Sequence, residues 1–136
     1  MTNTVWVPRD AGAVAVGAEA TARKLVSAAR DAGTAIRLRR NGSRGLYWLE
    51  PLVEVECDAG RIAYGPVTEH DIPGLIEQGF LRGEPHPLRL GVIEQHPWLA
   101  SQQRLTFSRV GCIDPRDLGD YLGHGGYRGL RRALEI

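Results

Sequence analysis

Few side chains in this sequence are of a type that does chemistry, and their spacing sets narrow limits on what that chemistry could be. The two cysteines, Cys57 and Cys112, are far apart and lack CxxC spacing. That argues against a dithiol redox motif and a disulfide framework, and each cysteine reads as a small buried apolar residue. The histidines His70, His86, His96 and His124 are scattered without the spacing of metal ligands. Ser43 has no GxSxG elbow and no neighbouring histidine, so it does not read as a nucleophile. Asp71, Asp114 and Asp117 stand at helix starts, where capping accounts for them. Gly123, Gly125 and Gly126 lack the preceding strand that a phosphate loop requires, and no GxGxxG occurs. Two basic runs, Arg37 to Arg44 and Arg128 to Arg132, could attract an anion or nucleic acid. The first has no aromatic platform on its own side and reads as a solvated face.

The elements that would position these residues can be drawn from size and pattern. A chain of 136 residues with a formal net charge of +1 holds one modest core, or one compact domain with an extension. A nearly neutral charge gives no reason to expect nucleic acid or an anionic membrane as a partner. The N-terminus MTNTVWVPRD lacks the charged and apolar regions of a secretory signal, and no apolar run is long enough to span a bilayer. The expectation is a cytoplasmic protein.

In chain order, Val5 to Val7 is β-rich and ended by Pro8, with Asp10 free to cap the helix after it. Val14, Ala18, Ala22, Leu25 and Ala29 recur at helical spacing from Ala13 to Ala32, with Gly17 a local weakness and Gly33 at the end. In Thr34 to Arg40, Ile36 and Leu38 alternate with Arg37 and Arg39 as on a strand with one wet face. After the loop NGSRGLYWLEP, Val53, Val55 and Cys57 share one strand face while Leu52, Glu54 and Glu56 share the other. Asp58-Ala59-Gly60 turns the chain into Arg61 to Tyr64, and a helix starting near Thr68 to Asp71 runs to Gly79. From Phe80 to Gln95 glycine, proline and scattered apolar residues read as a boundary and connector. Beyond it, His96 to Gln103 predicts a short helix, and Arg104 to Arg109 predicts an extended run with Leu105 and Phe107 facing one way. Asp114-Pro115 predicts the start of a helix that ends at Gly123, and Tyr127 to Leu134 predicts another. The predicted order of strand, helix, strand, loop, strand, turn, strand, helix is an α/β, thioredoxin-like arrangement.

The blocks NGSRGLYWLEPLVEV, GRIAYGPVT and RLTFSRVGCIDPRDLGDYLGHGGYRGLRRAL carry a resemblance. Together they resemble the beta (diaphorase) subunit of NAD-dependent formate dehydrogenases, a relative of the NADH-binding flavoprotein subunit of NADH dehydrogenase. The resemblance implies three parts: a thioredoxin-like domain over residues 1–80, a connector over 81–112, and a helical lead-in to an FMN/NADH domain over 113–136. In related ferredoxin domains four cysteine thiolates hold a 2Fe-2S cluster, the later pair spaced C-x3-C just before a proline. Counting back from Pro51 puts those positions at Ser43 and Tyr47, and the earlier pair would fall around Pro8 to Ala13, where there is no cysteine. The resemblance therefore implies a cluster site without its ligands.

Within the parent complex the family binds FMN, NAD and iron-sulfur clusters, through a glycine-rich segment and a CxxCxxC run that this sequence does not contain. The chain is expected to hold no catalytic residue, no metal and no cofactor of its own, and to be a fragment of the full subunit. Tyr47 is expected to fill the vacant cluster volume, with Trp48, Arg44 and Tyr127 as docking residues toward other subunits of a formate dehydrogenase complex. A homo-oligomer formed through the C-terminal helices is a further expectation. The alternatives are a stand-alone thioredoxin-like interaction module, a stand-alone redox protein, and an anion- or nucleic-acid-binding module.

Overall fold

The computed structural model of the protein describes residues 2–136. Its first helical stretch shows how local chemistry sets the elements. Asp10 accepts hydrogen bonds from the N–H groups of Gly12 and Ala13, which opens α1 (Ala11–Ala15). Gly17 then adopts a left-handed conformation at φ 105°, so the single helix predicted over this region is split, and α2 runs Ala18–Asp31. The weakness legible at Gly17 is a complete break. Thr68 donates from both its N–H and its hydroxyl to Asp71, ahead of α3 (Ile72–Glu77) with Pro73 in its first turn.

Five strands form one sheet: β1 (Asn3–Trp6), β2 (Ile36–Arg39), β3 (Val53–Cys57), β4 (Gly60–Tyr64) and β5 (Arg89–Val92). The spatial order is β2-β1-β3-β4-β5, with β1 and β2 parallel and the remaining pairs antiparallel. β5 lies inside the stretch read as a connector. The compact unit does not end at residue 80; β5 is four residues long and contains a glycine, so it left little alternation to read, and its pairing with β4 is irregular between Ala63 and Tyr64.

One sheet face is closed by α1, α2 and α3. Val5, Val53, Val55, Ile62 and Tyr64 pack there against Leu25, Ile72, Leu75 and Phe80. A smaller cluster of Leu46, Leu52, Ala63 and Ile93 lies on the other face, with Leu99 of α4 (Pro97–Ala100) against it. Gly65 is required where the chain leaves β4, because a side-chain carbon there would stand 2.5 Å from the carbonyl oxygen of Leu49.

The C-terminal part departs from the sequence expectation in two places. Residues 105–112 form successive turns, so Leu105 and Phe107 are not on a strand. Next, α5 (Leu118–Gly123) is capped by Asp117, which accepts from the N–H of Asp120; Asp114 accepts instead from Arg116 in the turn before it. The last helix, α6 (Arg128–Leu134), comes after Tyr127 at φ 60°.

Candidate functional site

The loop between β2 and β3 is held at its base by its own polar residues. Ser43 accepts from the N–H of Gly45 (3.0 Å) and donates to Glu50 Oε1 (3.1 Å). Glu50 Oε2 in turn accepts from the N–H of Leu52 (2.8 Å). Burial raises the Glu50 carboxyl above its ordinary value, partly opposed by the bonds from Leu52 and Ser43.

Arg44 is not the exposed docking residue that the sequence suggests. Its side chain is 4% exposed and forms a two-pronged pair with Glu54, Nε to Oε1 at 2.9 Å and Nη2 to Oε2 at 2.8 Å. Glu94 Oε1 lies 3.2 Å from the same Nη2, and Cys112 Sγ lies 3.4 Å from Nη1. Burial by itself would lower the pKa of this guanidinium, but the hydrogen bonds and charge of Glu54 outweigh it and hold the group firmly protonated. Glu54 lies on the strand face opposite Val53 and Val55, as the alternation predicts, and is 0% exposed although it is charged. The reason is topological: β3 lies between β1 and β4, and the chain after residue 92 covers its second face.

That covering is held by hydrogen bonds and ion pairs. Asn41 Nδ2 donates to the carbonyl of Gly111 (2.8 Å), Arg104 Nη2 to that of Arg44 (2.9 Å), and Arg61 Nη2 to that of Cys112 (2.8 Å). Arg39 pairs with Asp120 and Asp117 at α5. The Trp6 ring lies between the Arg39 and Arg61 guanidinium groups, 5.1 and 3.8 Å from its centroid, and its Nε1 donates to Glu56. Gly111, at φ +81°, fits because a side-chain carbon there would stand 2.5 Å from Arg44 Cδ. The basic run is thus not a solvated face. Arg39, Arg40 and Arg44 all have carboxylate partners, and Arg37 alone in that run is exposed.

Tyr47 also departs from expectation. It sits in a 3-10 turn (Tyr47–Leu49) with 68% of its surface exposed, so it fills no interior volume. A side-chain carbon on Gly12 would come within 3.8 Å of its ring, so the Pro8 to Ala13 segment and the Ser43 to Tyr47 segment do meet. Trp48 is exposed as well, and its ring meets that of Trp98 edge to face with centroids 5.7 Å apart. Sequence reasoning did not single out Trp98; the signal was its place after Pro97 in a four-residue helix capped by His96. Tyr127 is half exposed and stacks edge to face on Tyr121 at 5.1 Å.

Among the described residues no group of three or more His, Cys, Asp or Glu side chains is placed to hold a metal ion, and no helix is long and apolar enough to cross a membrane.

No family model matches the chain, and no curated protein matches it. Its shape is similar to solved structures of the thioredoxin-like 2Fe-2S ferredoxin from Aquifex aeolicus. One shares 18% identity at a TM-score of 0.57 and covers 71% of this chain and 96% of the ferredoxin. Another, of the wild type, shares 19% at 0.54, over 66% and 97% of the two chains. A cysteine-to-serine variant shares 20% at 0.55, over 65% and 98%. The protein has a thioredoxin-like fold of the kind those ferredoxins adopt.

The residues at the place that the resemblance assigns to a 2Fe-2S cluster do not fit one. Where Pro8 to Ala13 and Ser43 to Tyr47 converge, the side chains are Asp10, Ser43, Tyr47 and Glu50, with no thiolate among them, and such a cluster takes four. Ser43 and Glu50 bond to each other, and Asp10 is engaged as a helix cap.

Proposed function

We propose that this chain is the thioredoxin-like docking domain of the diaphorase subunit of an NAD-dependent formate dehydrogenase, contributing contact surface and no catalytic residue. In this reading the FMN, NAD and iron-sulfur chemistry belongs to other parts of the complex. The observation that supports it is the interlocking of the first and last of the three sequence blocks that carry the resemblance. Asn41 and Arg44 of the first bond to Gly111 and Cys112 of the last, and Arg104 returns a bond to Arg44. The blocks therefore behave as one folded unit. The exposed Trp48 and Trp98 pair, with Tyr47 beside Trp48 in the turn, offers aromatic surface of the kind that anchors protein partners.

The test is association with the remaining subunits of an NAD-dependent formate dehydrogenase, followed by gel filtration and titration calorimetry. Co-elution is expected, with affinity reduced about tenfold or more by Trp48→Ala. No association, or association indifferent to both Trp48→Ala and Trp98→Ala, overturns the docking reading. An iron-sulfur absorbance band in the purified chain, or saturable quenching of its tryptophan fluorescence by NADH, overturns the non-catalytic one.

A further inference from the structure

Strand β2 is the open edge of the sheet, and it lies beside a groove with a basic rim. The carbonyls of Ala35, Arg39 and Asn41 turn inward and accept from the N–H groups of Asn3, Val7 and Arg9. By the two-residue period of a strand, the N–H and C=O groups of Ile36 and Leu38 turn outward. Among the described residues no backbone or side-chain group bonds to them. The edge is not twisted away by a bulge, and its register with β1 is regular over all four residues from Asn3↔Ile36 to Trp6↔Arg39.

Between this edge and α2 runs a groove of about 290 Å³ with Ala22, Val26 and Leu38 among its lining. Its charged lining is Arg23, Arg30 and Arg40 against Glu19 alone, and Glu19 is already paired with Arg40 and Arg9. Arg23, Arg30 and the neighbouring Arg37 have no carboxylate within ion-pair distance among the described residues. An apolar floor, unbonded backbone groups and a cationic rim together define what fits. We propose that the β2 edge binds an extended acidic segment of a partner protein by strand addition. Aliphatic side chains of that segment would enter the groove over Val26 and Leu38, carboxylates at either end of the same face would meet Arg23 and Arg30, and carboxylates alternating to the other face would meet Arg37. A second copy of this chain is the poorer occupant, because a two-fold pairing of β2 with itself would bring two arginine rims together. The inference stands independently of which enzyme complex the chain serves.

The probe is a fluorescein-labelled peptide of about nine residues, about 30 Å when extended, with valine at its third, fifth and seventh positions and glutamate at the others, titrated with the full chain by anisotropy at physiological salt. Saturable binding is expected. Ile36→Pro removes an outward N–H at the first strand position, where proline is tolerated, and should weaken binding about tenfold or more. Ile36→Ala loses a similar side chain but keeps the N–H, and should change binding by about twofold or less. Charge reversal at Arg23 and Arg30 together should also weaken binding about tenfold or more, while Arg131→Glu on α6 should leave it unchanged. Thermal melts of each variant confirm that the sheet is intact. Lack of saturation up to about 1 mM overturns the proposal. So does equal loss from Arg131→Glu, or equal binding of a peptide with proline at alternate positions, since either would show general charge attraction. A dimer of the chain alone that Ile36→Pro dissolves would assign the edge to a second copy and overturn it as well.

Discussion

On the helix-covered face of the sheet Val5, Val53, Val55 and Ile62 meet Leu25, Ile72 and Leu75, while on the opposite face their neighbours Trp6, Glu54 and Arg61 meet the later chain mainly through ion pairs and hydrogen bonds. The first face is held by many interchangeable contacts, each proportional to the apolar area removed from water. The second is held by a few directional ones, and each buried charge there depends on a named partner. The same strands thus carry a tolerant surface and an exacting one. The exacting surface is also the one that fixes the segment from residue 104 to 120.

Breaking the exacting side should give the largest effect. Glu54→Leu strands the Arg44 guanidinium in a buried site and should cost about 3–5 kcal/mol in denaturant unfolding. The double replacement Arg44→Met with Glu54→Leu should recover most of that loss, since the buried guanidinium is gone, Glu94 is exposed and Arg61 keeps Glu56. A double variant as unstable as the single one would mean that shape, not charge, sets this face. On the apolar side, Leu25→Ala leaves a cavity in a fully buried position and should cost about 3 kcal/mol, with no rescue from any single partner.

A smaller effect should sharpen the contrast at the edge of the charged face. Burial alone would raise the Asp120 carboxyl, but the N–H of Asp114 and the Arg39 guanidinium outweigh it and hold it below the ordinary carboxylate value. A carboxylate depressed in the folded state contributes stability above its ordinary pKa, and that contribution is lost as pH falls through the depressed value. Residues 104–120 should therefore loosen below about pH 4 while the helix-covered core persists, read as hydrogen exchange of the two regions. Asp120→Asn should cost about 1–2 kcal/mol locally and flatten that acid dependence. Uniform acid unfolding of both regions would erase the distinction. The smallest effect belongs to Tyr47→Ala, which removes an exposed ring and should shift stability by about 0.5 kcal/mol or less. A loss of several kcal/mol would restore the filled-pocket reading.

How much of the molecule was legible depended on range. The strands around Val5, Ile36, Val55 and Ile62 were legible from alternation within a few residues, the caps at Asp10 and the Thr68 to Asp71 turn rest on contacts within a few residues, and all are present. Arg44 was misread because an arginine in a glycine-rich loop looks solvated until something covers it. Nothing near Arg39 in sequence announces Asp120, and nothing near Trp48 announces Trp98. At the β5 strand the glycine and proline texture hid a pairing that only β4 supplies.

By itself, then, the sequence determined the first four strands, the helical stretches before residue 80, the α/β class, and the lack of cysteine at the positions that the resemblance matches to the ferredoxin ligands, because periodicity, capping and residue type act locally. The tertiary structure alone decided which charges are buried and paired, where the sheet ends, and which aromatics remain in water. Each of these depends on where distant segments land on the second face of the sheet. A strand's own alternation marks that it has two faces, but the chain that returns to cover them determines whether a polar face is wet or an ion-paired interior.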